Sequence, residues 1–111
     1  MTPDTFRTLA LGQLNARPAS RLGVIEFLIG DKVFAALGVD PGVAIVRLSP
    51  EDQARARAAA PAVFSPQPGG AGARGVTCVR LALAQDHQVK PVLAQAAARA
   101  RNARSALTRL G

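Results

Sequence analysis

Apolar and polar positions change their period several times along the chain, and each change marks an element. Phe6, Leu9, Ala10 and Leu14 recur at three- and four-residue steps, which predicts a first helix. Thr2 is placed to cap it, Pro3 suits the first helical position, and Asp4 favours the positive end. Arg17-Pro18 is expected to stop it, because a residue before proline avoids helical geometry. From Val24 the period becomes two. Ile25, Phe27 and Ile29 alternate onto one face of a strand, Gly30-Asp31 makes a two-residue hairpin turn, and residues 32–37 form the return strand. Asp40-Pro41-Gly42 is a second turn, and residues 43–48 read as a third strand.

Ser49-Pro50-Glu51-Asp52 is the clearest helix start. Ser49 caps, Pro50 takes the first position, and Asp52 can act as a short capping-box acid. The helix is expected to end near Pro61, with an apolar face made only of alanine. Residues 64–75 are rich in Pro and Gly and predict a long loop. Residues 76–83 read as a fourth strand. Val89, Val92, Leu93, Ala96, Ala100, Ala103 and Leu107 then define the strongest helical stripe. Its regular part should begin between His87 and Lys90, since Pro91 fits poorly deep inside a helix. The order α-β-β-β-α-β-α predicts a two-layer α+β fold: a four-stranded, mainly antiparallel sheet with three helices, in one domain spanning residues 1–111.

Composition narrows the picture. Apolar residues make up 49% of the chain, enough for one core, yet only Phe6, Phe27, Phe34 and Phe64 are aromatic. The single cysteine, Cys78, cannot form an internal disulfide, which favours a reducing, cytoplasmic setting. No apolar run approaches the length that spans a bilayer. The net charge of +7 favours polyanions such as nucleic acid. A compositional reading competes on equal terms, because twelve of the fourteen basic residues are Arg in an Ala-rich chain.

Several segments together resemble one family. Phe27-Leu28-Ile29-Gly30-Asp31-Lys32-Val33-Phe34-Ala35-Ala36-Leu37 is similar to the hairpin of the MmcQ/YjbR-like proteins. Leu48-Ser49-Pro50-Glu51 matches that family's strand end and helix cap. Phe64-Ser65-Pro66, followed by Gly72-Ala73-Arg74-Gly75-Val76-Thr77-Cys78-Val79-Arg80-Leu81, resembles its Gly-rich loop and last strand. The likeness runs over most of residues 4–100. Ala71, Val76 and Ala96-Ala97 stand where the family often has Trp. The resemblance implies a compact α+β domain of the double-wing type, akin to the frataxin/CyaY architecture, and DNA binding as the family's proposed activity. Fold alone does not carry function. Iron handling on a frataxin-like frame needs an acidic ridge, and the first helix offers only Asp4.

Candidate chemistry is sparse. His87 is the one histidine and has no orienting partner in the sequence, so neither a catalytic base nor a catalytic residue of any kind is expected. Cys78 lies mid-strand and reads as a small buried hydrophobe. One Cys, one His and seven scattered acids make no metal-ligand cluster, and no cofactor is expected. Gly70-x-Gly72-x-x-Gly75 has the spacing of a dinucleotide fingerprint, but that motif must follow a strand and open a helix, whereas a strand follows here. The expectation is therefore a non-enzymatic module that binds nucleic acid through phosphate contacts. Lys32, Arg74 and Arg80 are its principal residues, and Arg47, Arg101 and Arg104 are secondary. The alternative is a protein-interaction or small-ligand module that uses the Gly-rich loop. A monomer requires no extra assumption, and a dimer stays open.

Overall fold

Thr2 opens the first helix as its cap. In the computed structural model, which describes the backbone of residues 1–110 and the side chains of residues 1–103, its hydroxyl accepts from the Thr5 N–H at 3.1 Å. Helix α1 spans Pro3–Leu11 and buries Phe6 and Ala10. It stops earlier than the Arg17-Pro18 signal predicts. Gly12 closes it, and Asn15 adopts a left-handed backbone conformation at φ 66°, which Asn tolerates better than most residues. The chain released there forms a strand that periodicity does not announce, β1 (Ala16–Arg21).

Strand β1 pairs antiparallel with β2 (Val24–Ile29) across Leu22-Gly23, whose φ values of 52° and 80° are both positive, as the favoured two-residue hairpin turn requires. Strand β3 (Lys32–Asp40) follows across the predicted Gly30-Asp31 turn, and β4 (Val43–Arg47) across Pro41-Gly42. The β2–β3 register skips one residue, pairing Phe27 with Ala35 and Leu28 with Val33. The residue left over is Phe34, which enters the core together with Ala35, so strict alternation fails at this bulge.

Helix α2 (Pro50–Ala59) starts as predicted, with the Ser49 hydroxyl accepting from the Asp52 N–H at 3.1 Å. The Asp52 carboxylate pairs with Arg55 one turn on. The inner side of α2 carries Gln53 as well as Ala56, where alanine alone was expected. The 64–75 segment is not one loop. It contains a short strand, β5 (Phe64–Pro66), and a single helical turn, α3 (Gly70–Ala73). Strand β6 (Val76–Arg80) ends three residues before the predicted boundary, and Leu81–Leu83 forms a 3₁₀ turn instead. The N-terminal ammonium donates to the Leu81 and Ala84 carbonyls at 2.9 and 3.1 Å, tying the chain's start to this turn.

Helix α4 (Asp86–Leu110) begins one residue before His87. Gln88 supports this start, because its side-chain oxygen accepts from the Gln85 N–H at 3.0 Å in capping-box fashion. Pro91 therefore lies in the second turn of the helix.

The sheet has six strands, in the order β1-β2-β3-β4-β6-β5, all neighbours antiparallel. The α+β class and the antiparallel sheet agree with expectation. The four-stranded, three-helix count is corrected by β1, β5 and α3. Helices α1 and α4 pack on one face. Phe6 meets Phe27 edge-on, with ring centroids 6.3 Å apart. Val89, Val92, Leu93, Ala96, Ala97 and Ala100 of α4 close the same core over Phe34, Ala35 and Val46. Small residues on α4 let it approach the sheet closely, which compensates for the scarcity of aromatic volume.

Candidate functional site

Side chains that alternate away from the helices define the opposite face of the sheet. The register puts Glu26, Ala36, Ile45, Cys78 and Ser65 in one row across β2, β3, β4, β6 and β5. A cavity of 390 Å³ lies over part of this row. Val24, Ala36, Ile45 and Val76 give it an apolar floor, and Glu26 contributes a carboxylate. Ala71 and Arg74 form one wall. Arg47 stands at the end of β4, and Arg99 reaches the same rim from α4.

The wall is a fixed structure rather than a loose loop. Gln53 is buried, and its amide donates to the Gly72 carbonyl, the Val76 carbonyl and the Thr77 hydroxyl, each at 3.1 Å. Thr77 in turn donates to the Gly75 carbonyl at 2.9 Å. A side chain on Gly72 would collide with the Gln67 carbonyl, and one on Gly75, at φ 109°, with the Leu48 carbonyl. Two of the three fingerprint-like glycines are thus explained by close backbone packing, Gly72 on the segment after β5 and Gly75 on the segment after β4. The motif does not open a helix of the length that cradles phosphates.

The predicted basic residues separate into groups. Arg47 and Arg74 meet at the cavity rim, because Arg47 is paired with Val76 and Arg74 lies two residues before it. Lys32 lies just around the end of the sheet, in an adjoining hollow that shares Val33, Arg47 and Arg99 with the first and also contains Asp31. Arg80 does not join them. It pairs with Val43 at the other end of β6, about 13 Å along the strand from Val76 at the usual strand rise. Arg101 also points elsewhere, donating to the Leu14 carbonyl at 3.2 Å. The Arg104 side chain lies outside the described residues. Glu26 is the addition that the structure makes. Arg99, with Arg101 and Arg104 a source of positive charge on the last helix from the sequence, is the one whose described side chain is brought to the rim. Glu26 sits between the alternating core residues Ile25 and Phe27, and that position opposite the core was the only signal it offered.

Electrostatically, the rim is cationic. Among the described residues the one ion pair is Arg55 with Asp52, so Lys32, Arg47, Arg74 and Arg99 have no carboxylate at salt-bridge distance. Glu26 is likewise unpaired. Its diagonal neighbours on β1 are Arg17 and Arg21, but Arg17 donates instead to the Gly30 carbonyl at 2.8 Å. His87 lies by a separate, apolar groove with Phe64 and Pro91. Burial, with a smaller contribution from Asp40, pushes the Cys78 thiol up from its ordinary value, which keeps it protonated and a poor nucleophile. Among the described residues no group of three or more His, Cys, Asp or Glu is placed to hold a metal ion. None of their helices is long and apolar enough to cross a membrane.

No family model matches the chain, and no curated protein matches it in sequence. Among solved structures, the chain is similar to a crystal structure of a Deinococcus radiodurans protein described by its DUF419 domain. The TM-score is 0.65 at 17% identity, over 83% of this chain and 72% of that one. DUF419 is of the MmcQ/YjbR-like kind that the hairpin and loop motifs resemble. At this identity the likeness is one of fold: an α+β arrangement on an antiparallel sheet.

Proposed function

We propose that this chain is a non-enzymatic module that binds nucleic acid through its phosphates, at the sheet end where Lys32, Arg47, Arg74 and Arg99 gather. The observation that carries the reading is the convergence of four cations from β3, β4, the end of the α3 turn and α4, none within salt-bridge distance of a carboxylate among the described residues. Cations held without acid partners raise the local potential and favour polyanions. Phosphate contacts of this kind position a nucleic acid without reading its sequence. Arg80 and Arg101, being elsewhere, leave the interface.

Fluorescence anisotropy of a labelled DNA duplex, titrated at several salt concentrations, tests the reading. Binding should weaken linearly in log salt. Each arginine removed from the cluster should lower the slope by about 0.9. The Arg47→Ala/Arg74→Ala double variant should therefore lose nearly two units of slope, and Arg80→Ala should lose none. Absence of binding at low salt, or equal losses at Arg80 and at the cluster, refutes it.

A second reading, a small-ligand module, is favoured by the 390 Å³ cavity with its apolar floor and single carboxylate. In that case the Gly-rich segment serves as a rigid wall carrying Arg74.

A further inference from the structure

The cavity has two chemically different ends. Arg47, Arg74 and Arg99 stand at its rim, and Glu26 lies over its apolar floor. Register fixes how far apart these ends are. Glu26 is opposite Ala36, Ala36 is opposite Ile45, and Arg47 lies two residues further along β4. With the ordinary strand spacing and rise, the Glu26 and Arg47 Cα atoms are about 12 Å apart. A ligand that fills the cavity needs an anion at one end, a flat apolar body, and hydrogen-bond donors at the other end.

We infer that the cavity accepts one unpaired guanosine phosphate unit, with its phosphate at the arginine rim and the N1–H/N2–H edge of the base on Glu26. This deepens the phosphate-binding reading and rests on it. Guanine is the common base whose Watson–Crick edge presents two adjacent donors, the arrangement a carboxylate accepts through both oxygens. Adenine presents a donor beside an acceptor there and would turn a ring nitrogen's lone pair towards the carboxylate. The floor of Val24, Ala36, Ile45 and Val76 supplies apolar contact for the base plane where the chain has no Trp or Tyr to stack on. Glu26 is available for this role, because Arg17 is engaged by the Gly30 carbonyl and, among the described residues, neither Arg17 nor Arg21 lies at salt-bridge distance from it. The unit can come from a free nucleotide or from an unpaired guanosine in a single strand, and both present the same groups.

Calorimetric titration with GMP, IMP and AMP, alongside anisotropy with single-stranded oligonucleotides carrying one central G or one central A, tests the inference. The whole chain is used, as wild type, Glu26→Gln and Arg47→Ala. Wild type should bind GMP roughly tenfold or more tightly than AMP, with IMP between them because it lacks the 2-amino donor. Glu26→Gln should erase the GMP preference, while duplex DNA still binds in a salt-dependent way. Arg47→Ala should weaken all three nucleotides alike. Preference for G only within the oligonucleotide identifies a strand as the source, and preference for GMP alone identifies a free nucleotide. Salt-dependent duplex binding without any guanine preference overturns this inference and leaves the phosphate reading standing. A guanine preference that survives in Glu26→Gln overturns it as well. Loss of duplex binding and of nucleotide binding together overturns both.

Discussion

The tie between Gln53 and the Gly72–Thr77 backbone offers a quantitative test of what holds Arg74 in place. Replacing Gln53 with Leu keeps a side chain of comparable bulk but removes the amide that donates to the Gly72 carbonyl, the Val76 carbonyl and the Thr77 hydroxyl. None of these partners becomes wholly unsatisfied. The Gly72 carbonyl still accepts from the Gly75 N–H at 3.1 Å, and the Val76 carbonyl from the Gln67 N–H at 2.9 Å. Thr77 still donates to the Gly75 carbonyl. One amide has two hydrogens to share among three acceptors, so the loss is that of two net hydrogen bonds, about 2 kcal/mol. For a chain of this size that corresponds to a fall in Tm of roughly 8–16 °C. Gln53→Glu should be worse, because it turns a carboxylate towards two carbonyls in a buried place. Its folded-state pKa should be raised, so its deficit shrinks as pH falls and the folded form takes up the proton. Urea unfolding of the three proteins at neutral and acidic pH measures all of this. A Leu variant within about 0.5 kcal/mol of wild type, or Glu and Leu variants of equal stability at neutral pH, would refute the account.

Two further outcomes are expected. Gly75→Ala should destabilise by more than about 1 kcal/mol, since it combines a left-handed φ with a clash on the Leu48 carbonyl, and thermal melts check it against Gly42→Ala, whose added carbon meets nothing within 4 Å. The Cys78 thiol should be alkylated more slowly at pH 8 than an unstructured peptide thiol. The sign of its effect on stability follows from its raised folded-state pKa: the contribution is constant below the ordinary value of 9.0 and is lost as pH rises above it. Iodoacetamide kinetics followed by mass spectrometry decide the first point, and equal rates would contradict it.

The β2–β3 hairpin, the Pro41-Gly42 turn, the Ser49 cap and the α4 stripe from Val89 to Ala100 were all legible, because each is written in local chemistry: glycine at positive φ, a capping hydroxyl, a repeated apolar step. Ala103, the next position of the predicted stripe, is exposed, and the Leu107 side chain lies outside the described residues. Strand β1 was not. Ala16-Arg17-Pro18-Ala19-Ser20-Arg21 has no apolar alternation, and its strand character comes from pairing with β2. Strand β5 is only three residues long, and α3 is built of Gly and Ala without a side-chain cap, so neither has a pattern to read. The candidate site divides in the same way. Arg47 and Arg74 could be named from the sequence, but their meeting depends on the β4–β6 register. Arg80 looks close to Arg74 in the chain, and the extended strand between them separates their ends. Glu26 and Arg99 occupy positions that core-seeking periodicity passes over.

The outer strands of the sheet have one more effect on the molecule's behaviour in a crowded solution. β1 carries Pro18 directly after Arg17, and β5 ends on Pro66 after only two other residues. A strand arriving from another chain would find, at either margin, a row of partners interrupted by a residue with no N–H to offer. Growth of the sheet from molecule to molecule is therefore blunted on both sides. Contacts between copies are directed to the helices or to the arginine-rimmed face, where like charges hold two such faces apart.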